Sequence, residues 1–334
     1  MSAVTVEQAD AIHPAQARMS PPSRFGDKAF YWLTLSMAFV VVLLVILIGW
    51  QLGQGSWQAI QKFGLHFVAT STWDPVAEQY GALPFIYGTV ISSLIALLIA
   101  VPLSIATAVY LTELAPLWIR QPIVSLIEML AAIPSVILGL WGIFVMIPWL
   151  RDHPFPFLQR ILGWTPFFSG PIYGPCMLAG GIIVAIMVLP IITSVSREIL
   201  RSVPDLQREA AYALGATRWE VTRIAVLSYA RKGLFGAVIL GLGRALGETM
   251  AVTMVIGNNP RISTSLFAPQ YTMAAVIANE FTEAADDLYL HALVEIGLLL
   301  FIVTILINGL SRLLVWRVGA KGSEKVQPLP VSAA

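Results

Sequence analysis

Six long apolar stretches constrain the fold of this chain more than any other feature. A helix rises about 1.5 Å per residue and the hydrocarbon core of a bilayer is about 30 Å thick, so about 20 apolar residues cross it. The stretches that reach this length, with boundaries good to a few residues, are Tyr31–Leu52, Ile86–Leu111, Ile123–Leu150, Cys176–Val195, Leu234–Ile256 and Ala292–Val315. The sequence therefore predicts an all-α integral membrane protein with six transmembrane helices.

The composition agrees with a protein that is solvated by lipid. Of the 334 residues, 57% are hydrophobic and only 12% are charged, whereas soluble domains carry about 25% charged residues. Such a chain has too few polar side chains to cover its own surface. Cys176 is the only cysteine and the four histidines are scattered, so the sequence predicts neither an internal disulfide nor a metal site.

Lysines and arginines are distributed unevenly between the two sides of the predicted bundle. If the amino terminus is cytoplasmic, 15 of the 20 fall on the cytoplasmic side and 4 on the outer side, with Arg244 inside the fifth stretch. Membrane proteins carry their excess of these residues on the cytoplasmic side. We therefore predict that both termini are cytoplasmic. Residues 1–29 would be a disordered tail, residues 30–316 the six-span domain and residues 317–334 a second tail.

The predicted cytoplasmic loop of residues 196–233 contains two helix signals around a glycine. Two capping-box signatures, Ser202–Asp205 and Thr217–Glu220, flank Gly215. Gly215 can adopt the positive φ that commonly ends a helix. Between the signatures, apolar residues recur at helical spacing, and these are Leu206, Ala210, Ala213 and Leu214. The pattern predicts two short cytoplasmic helices that meet at a glycine corner.

Three functions compete for this loop. A DNA-binding helix-turn-helix would need a mobile domain, and this loop is anchored between two membrane spans. An amphipathic pair of helices lying on the membrane surface fits the pattern. Docking to a cytoplasmic partner fits it as well, because the small residues at positions 210, 211 and 213 would let another protein approach closely.

The residues at the corner resemble a known motif. Glu209-Ala210-Ala211, followed after three residues by Gly215, resembles the EAA loop of ABC-importer permeases. In that family the loop forms a coupling helix, here near residues 204–215, that inserts into a cleft of the ATPase subunit. The family pattern ends in I-x-L-P, but Ala225 and Ser228 replace its isoleucine and proline. The resemblance implies that Glu209, Ala210, Ala211 and Gly215 couple the chain to an ATPase.

A second resemblance covers residues 30 to 315 and is more specific. The run Gly241–Val252, which reads GLGRALGETMAV, resembles the fifth-span signature of the PstC-type phosphate permease family. Other segments that resemble the family are Ile60–Gly64, Tyr80–Leu83, Ile86–Thr89, Thr112–Pro116, Ile127-Glu128, Ala131–Ser135, Ile256–Asn258 and Ala278–Phe281. The resemblance implies a type I ABC-importer permease fold in a bacterial inner membrane.

This family resemblance also implies a set of partners. They are a homologous PstA-type permease subunit, a dimer of ATPase subunits and an extracytoplasmic phosphate-binding protein, with inorganic phosphate as substrate and membrane lipid around the spans. ATP and Mg would be bound by the ATPase, so no cofactor is expected in this chain. No nucleic-acid partner is expected.

Several charged side chains fall inside the predicted spans. Inserting each one into the bilayer costs about 2.5–3.5 kcal/mol, so each is expected to have an ion-pair partner or a function. Arg244 and Glu248 are four residues apart on one helical face, so they can pair. The pair could stabilise subunit packing, or Arg244 could contact phosphate on the substrate pathway together with Glu248 and Thr249. We expect Glu128, Ser135 and Glu295 to be structural, through hydrogen bonds between helices or to a second subunit.

Two alternatives to a phosphate importer remain at this stage. A permease for another oxyanion, such as sulfate, would keep the EAA loop but change the intramembrane polar residues. An ion-coupled secondary transporter would work without an ATPase. An enzyme is not expected, because the sequence contains neither a G-x-x-x-x-G-K-[ST] phosphate loop nor a catalytic constellation.

Overall fold

The computed structural model describes residues 25–320, and side chains up to residue 313. Six helices are long and apolar enough to cross a membrane, as predicted, and we number them as spans 1 to 6. They are Phe25–Gly55, Leu83–Leu114, Ser135–Asp152, Met177–Arg201, Arg218–Leu246 and Asp287–Leu313, the last continuing helically to Ala320. Within residues 25–320 there is no strand, only two isolated bridges. The all-α membrane fold is thus confirmed.

Shorter helices occupy the segments between the spans. They are Trp57–Phe63, His66–Ala69, Leu117–Ala132, Pro154–Leu162, Asp205–Ala213, Met250–Val255 and Met273–Glu280. The predicted tails of residues 1–29 and 317–334 lie largely outside the described residues. Where they overlap the described chain, residues 25–29 and 317–320 are helical, so the two end helices are longer than predicted.

The chain divides into two compact units, residues 1–50 and residues 51–334. The described part of the first is the beginning of span 1, in which no residue is buried. In the second unit, spans 2 and 4 form the centre. Gly181 of span 4 lies so close to span 2 that a Cβ there would be 2.5 Å from Ile95 Cγ2. Ser104 Oγ donates a hydrogen bond of 3.0 Å to the Leu189 carbonyl across the same contact. Small residues permit this close approach of helices in a membrane.

Span 3 begins later than predicted, because a proline divides the apolar stretch. Pro134 forces the preceding residue out of the α region, and Ile133 is extended, with φ −67° and ψ 126°. The helix Leu117–Ala132, which we call the pre-span helix, ends there, and span 3 begins at Ser135. Glu128 consequently lies in the pre-span helix, and our placement of this carboxylate inside a span was wrong.

Span 5 also differs from its prediction, at both ends. The helix that begins after Thr217 is not a separate short helix but continues through the membrane stretch to Leu246. The second short cytoplasmic helix is therefore the beginning of span 5. At the carboxyl end of span 5, Gly247, Glu248 and Thr249 interrupt the helix before a short end helix, Met250–Val255. The predicted uninterrupted helix Leu234–Ile256 was wrong at this point.

Aromatic residues pack the segment between spans 1 and 2 against the segment between spans 5 and 6. Trp73 Nε1 and the Tyr289 hydroxyl both donate hydrogen bonds to Glu280 Oε2, at 2.9 and 2.7 Å. Tyr80 stacks on Tyr289 with a centroid distance of 5.5 Å. Glu280 ends the helix Met273–Glu280, so this cluster fixes that helix against span 6 and the segment between spans 1 and 2.

Candidate functional site

The helix Asp205–Ala213, which we call the corner helix, carries the EAA-like residues. It begins after Pro204, whose φ of −59° and ψ of 139° lead the chain into the first turn. The predicted capping role of Ser202 was wrong, because the Ser202 hydroxyl donates a hydrogen bond of 2.8 Å to the Ile199 carbonyl at the end of span 4. Pro204 itself sets the entry angle, and Asp205 places a negative charge at the amino-terminal end of the helix.

Gly215 forms the corner as predicted. Its φ is +82°, and the Gly215 and Ala216 amides donate to the carbonyls of Tyr212 and Ala211 at 2.9 and 3.2 Å. This pair of bonds is the Schellman arrangement that closes a helix with a left-handed residue. The second capping box is also confirmed. The Thr217 amide donates to Glu220 Oε2 at 2.8 Å, and the Glu220 amide donates to Thr217 Oγ1 at 3.4 Å.

Large apolar side chains are exposed around this corner. Leu206 is 73% exposed, Leu214 90% and Trp219 67%. Glu209 and Ala210 are also exposed, and Ala211 is half-buried. Contiguous apolar patches on the water-accessible part of a protein mark interaction sites. The corner therefore presents a preformed apolar surface at the end of a helix whose geometry is fixed by hydrogen bonds.

One arginine attaches the corner helix to the membrane spans. Arg208 Nη2 lies 3.0 Å from Glu113 Oε1, and Arg208 Nε donates to Glu113 Oε2 at 3.4 Å. The same guanidinium donates to the Leu200 and Val203 carbonyls, at 3.1 and 2.6 Å, and to Asp205 at 3.1 Å. The hydrogen bond to Glu113 raises the pKa of Arg208 above its ordinary value. Arg208 thus connects the corner helix to the ends of spans 2 and 4.

This connection was not predicted from the sequence, since Glu113 and Arg208 are 95 residues apart. Its one signal was the position of Glu113 inside the Thr112–Pro116 segment that resembles the permease family. The two side chains are only 13% and 18% exposed. A fork-shaped guanidinium that binds a carboxylate with two nitrogens is geometrically selective as well as strong.

The structure brings Arg244 and Glu248 together at the interruption of span 5. Arg244 Nη2 lies 3.7 Å from Glu248 Oε2, with Arg244 51% exposed and Glu248 6% exposed at the side chain. Glu248 Oε1 also accepts a long bond of 3.5 Å from the Ala251 amide in the end helix. Thr249 Oγ1 donates to the Gly247 carbonyl at 3.2 Å. The buried carboxylate therefore holds one side of an exposed guanidinium and leaves its other donors available.

The residues predicted to be structural are dispersed. Glu128 Oε1 lies 3.8 Å from Arg197 Nη2 of span 4, so it pairs between helices near the end of the bundle. Ser135 is the half-buried first residue of span 3. Glu295 is 5% exposed in span 6, and no hydrogen bond from the described residues reaches its Oε2.

A groove of about 900 Å³ opens beside Arg244, between spans 4, 5 and 6. Its polar side chains are Arg244 of span 5 and Asn308 and Arg312 of span 6. Gly236, Gly243 and Gly309 leave it open, and a Cβ at Gly236 or Gly309 would contact nothing within 4 Å. Arg312 was among the cytoplasmic arginines that predicted the orientation, and no role was predicted for Asn308 from the sequence.

The comparisons with known proteins agree with this architecture. Residues 100–319 match the family model described as binding-protein-dependent transport system inner membrane component. The "Phosphate transport system permease protein PstC" of Mesorhizobium japonicum is 50% identical over 299 residues, which cover 88% of this chain and 91% of that protein. The chain belongs to the PstC family of these inner-membrane transport components.

Two further similarities extend across most of this permease. The protein of the same description from Haemophilus influenzae is 48% identical, over 86% of this chain and 93% of its own length. A chain in the crystal structure of a bacterial alginate ABC transporter, in complex with an alginate pentasaccharide-bound periplasmic protein, superposes with a TM-score of 0.58 and 18% identity. It covers 88% of this chain and 98% of that chain. At this identity the similarity shows the fold, which is that of an ABC-importer permease.

Proposed function

We propose that this permease is the transmembrane subunit of an ATP-driven importer of inorganic phosphate. The observation that carries the proposal is the identity of 50% with a phosphate transport permease over nearly the whole of both chains. The match includes both the corner and span 5. The permease would form half of the translocation pathway, and ATP hydrolysis would take place in a separate ATPase subunit.

The corner is the proposed contact with the ATPase. Glu209, Ala210 and Ala211 lie on the corner helix, and Gly215 fixes its end. Exposed apolar side chains beside small residues suit insertion into a cleft of another protein. Because Arg208 connects this helix to spans 2 and 4, a displacement of the ATPase would move the spans as well. ATP and Mg would be bound by the ATPase, and no cofactor is assigned to this chain.

Arg244, Glu248 and Thr249 are the proposed contacts on the substrate pathway. A guanidinium presents several donors to a phosphate oxyanion. Glu248 already occupies one side of Arg244 at 3.7 Å, which limits the attraction for the anion and favours its release. Glu128, Ser135 and Glu295 would stabilise the bundle. Since Glu295 Oε2 accepts no hydrogen bond from the described residues, a second subunit or a water molecule would supply its donor.

The complete importer would contain other components. We assign a homologous PstA-type permease as the second half of the pathway, a dimer of ATPase subunits below the corner, and an extracytoplasmic phosphate-binding protein above the outer loops. The location would be a bacterial inner membrane, with both termini in the cytoplasm, because most lysines and arginines then lie inside.

The test is transport by the complete complex in proteoliposomes. Radiolabelled phosphate and the binding protein are supplied at the outer face, with ATP at the ATPase face. We expect uptake only with ATP, and competition by unlabelled phosphate but not by sulfate. Uptake of sulfate instead would be consistent with an ATP-driven importer but would identify sulfate as its substrate. Uptake by this permease alone, driven by a proton or sodium gradient, would contradict the proposal.

A further inference from the structure

The groove beside Arg244 contains a second guanidinium on the neighbouring span. Residues 236, 240, 243 and 244 of span 5 and residues 305, 308, 309 and 312 of span 6 share the facing sides of two helices at helical spacing. Asn308 lies opposite Gly243, since a Cβ at Gly243 would be 3.8 Å from Asn308 Oδ1. Asn308 therefore lies at the level of the Arg244–Glu248 pair, and Arg312 lies one helical turn further, about 6 Å along the axis.

The two arginines differ in their charge balance. Glu248 approaches Arg244 to 3.7 Å, so a carboxylate partly neutralises the first guanidinium. Among the side chains of residues 25–313, no carboxylate forms an ion pair with Arg312. Arg312 thus gives the groove its net positive charge, and Asn308 adds an amide that can donate a hydrogen bond between the two guanidinium groups.

We propose that Asn308 and Arg312 form a second oxyanion contact, which receives the transported anion after it leaves Arg244. This inference rests on the proposed function. An anion held by several donors moves only if another favourable contact lies within reach, because each lost hydrogen bond to a charged group has a large cost. Asn308 and Arg312 supply that contact on the side of the groove toward the carboxyl end of span 6.

The direction of the groove agrees with this order of contacts. Gly236 lies two turns before Gly243 in span 5, toward the basic corner region, and Arg312 lies toward the end of span 6. With the termini cytoplasmic, both displacements point inward. The glycines keep the passage open, as nothing would contact a Cβ at Gly236 or Gly309 within 4 Å. An importer needs its second anion contact on the cytoplasmic side of the first.

The phosphate chemistry that Arg312 recognises is shared by free phosphate and by the headgroup of an anionic lipid. The experiment separates the two sources with vesicles of phosphatidylcholine alone and vesicles that also contain phosphatidylglycerol. The complete complex carries Arg312→Gln or, as the matched control, Arg231→Gln. Arg231 is an exposed arginine of span 5 that lines a different groove, between spans 2 and 5.

We expect Arg312→Gln to lower ATP-dependent phosphate uptake about tenfold in both kinds of vesicle, the effect of losing one hydrogen bond to a charged group. ATP hydrolysis stimulated by the binding protein should persist, so fewer phosphate ions are transported per ATP. Arg231→Gln should transport normally. Unchanged uptake by Arg312→Gln, or a loss confined to vesicles with phosphatidylglycerol, would overturn the inference, the second outcome in favour of a lipid headgroup.

Two further variants decide the case if Arg312→Gln does not assemble. Arg312→Lys keeps the charge and should assemble and transport. Asn308→Asp keeps Arg312 but places a carboxylate beside it, which should lower uptake at least about tenfold. Normal uptake by Asn308→Asp, or assembly lost in Arg312→Lys as well, would contradict a transport role. If the unmodified complex takes up no phosphate, the proposed function and this inference both fail.

Discussion

At the scale of single residues, Arg208 makes the most consequential contact outside the six spans. Its guanidinium binds a carboxylate at the end of span 2, the Leu200 carbonyl at the end of span 4 and the Val203 carbonyl just after that span, while its backbone belongs to the corner helix. Any displacement of the corner helix must therefore strain these bonds or move both spans. The geometry favours motion of the helix and the spans as one unit.

We predict that Arg208→Ala uncouples ATP hydrolysis from transport. Removing one partner of a largely buried ion pair leaves Glu113 without its cation, at a cost of about 3 kcal/mol. Phosphate uptake by the reconstituted complex should fall at least about tenfold while ATP hydrolysis continues. The matched control is Arg201→Ala, because Arg201 forms only an exposed contact of 3.8 Å with Glu198. If the two variants had the same phosphate uptake and ATP hydrolysis, Arg208 would not couple the corner helix to the spans.

Gly215 allows a second prediction at this scale, because the backbone conformation, and not a lack of space, disfavours a side chain at this position. A Cβ at Gly215 would contact nothing within 4 Å, but the φ of +82° is unfavourable for residues with a side chain. Gly215→Ala should destabilise the corner by about 1 kcal/mol, and Gly215→Asn by less. Copurification of the ATPase should therefore be weakened more by Gly215→Ala than by Gly215→Asn.

Gly53→Ala is the control for Gly215. Its Cβ would also meet nothing, and its backbone is helical, so binding of the ATPase should be unchanged. If Gly215→Ala bound the ATPase as tightly as Gly53→Ala, the left-handed corner would not matter for docking.

At the scale of helices, the sequence predicted those features that depend on local chemistry. Apolar length gave the six spans, and the positive φ that Gly215 tolerates together with the Thr217–Glu220 capping box gave the corner. Pro134 was visible in the sequence, but whether a proline kinks or ends a helix depends on its packing. The bond between Glu113 and Arg208 is set by how spans 2 and 4 pack, which no local pattern records.

The interruption of span 5 creates an end helix that packs against span 3. A Cβ at Gly142, in span 3, would be 2.8 Å from Val255 Cγ1 of the end helix, closer than atoms tolerate. We predict that Gly142→Ala destabilises the permease by about 1–3 kcal/mol, the usual cost of overpacking a core. Thermal unfolding of the detergent-solubilised complex measures the effect.

Val255→Ala should compensate for the destabilising effect of Gly142→Ala. Val255→Ala removes the Cγ1 atom that Gly142→Ala would contact, so the double variant should unfold at a higher temperature than Gly142→Ala alone. A double variant with the sum of the two separate losses would mean that the end helix does not contact span 3 at Gly142.

At the scale of the whole molecule, the two ends of the second unit have different structures. One end contains the aromatic cluster around Glu280, which joins the segment between spans 1 and 2 to the segment between spans 5 and 6. The other end contains the exposed apolar corner attached through Arg208. The groove with Arg244 and Arg312 lies between spans that extend toward both ends. An importer needs this polarity, because its binding protein and its ATPase act on opposite sides of the membrane.

The orientation that this proposal requires can be tested with single cysteines. Cys176 is the only natural cysteine and is 1% exposed, so it should not react with a membrane-impermeant maleimide. Ser71→Cys, between spans 1 and 2, and Ser202→Cys, beside the corner, both place an exposed thiol outside the spans. We expect Ser71→Cys to be labelled in intact cells and Ser202→Cys only after the membrane is permeabilised.

The reverse labelling pattern would place the corner outside the cell, where ATP is absent, and so would contradict the coupling role of Gly215 and Arg208. The result is decisive because the two positions lie on opposite sides of the bundle. The unmodified permease, which has only the buried Cys176, measures the background labelling. The expected pattern would also fix the direction of the groove, because Arg312 lies toward the same end of the bundle as the corner. The inward order of contacts from Arg244 to Arg312 depends on that direction.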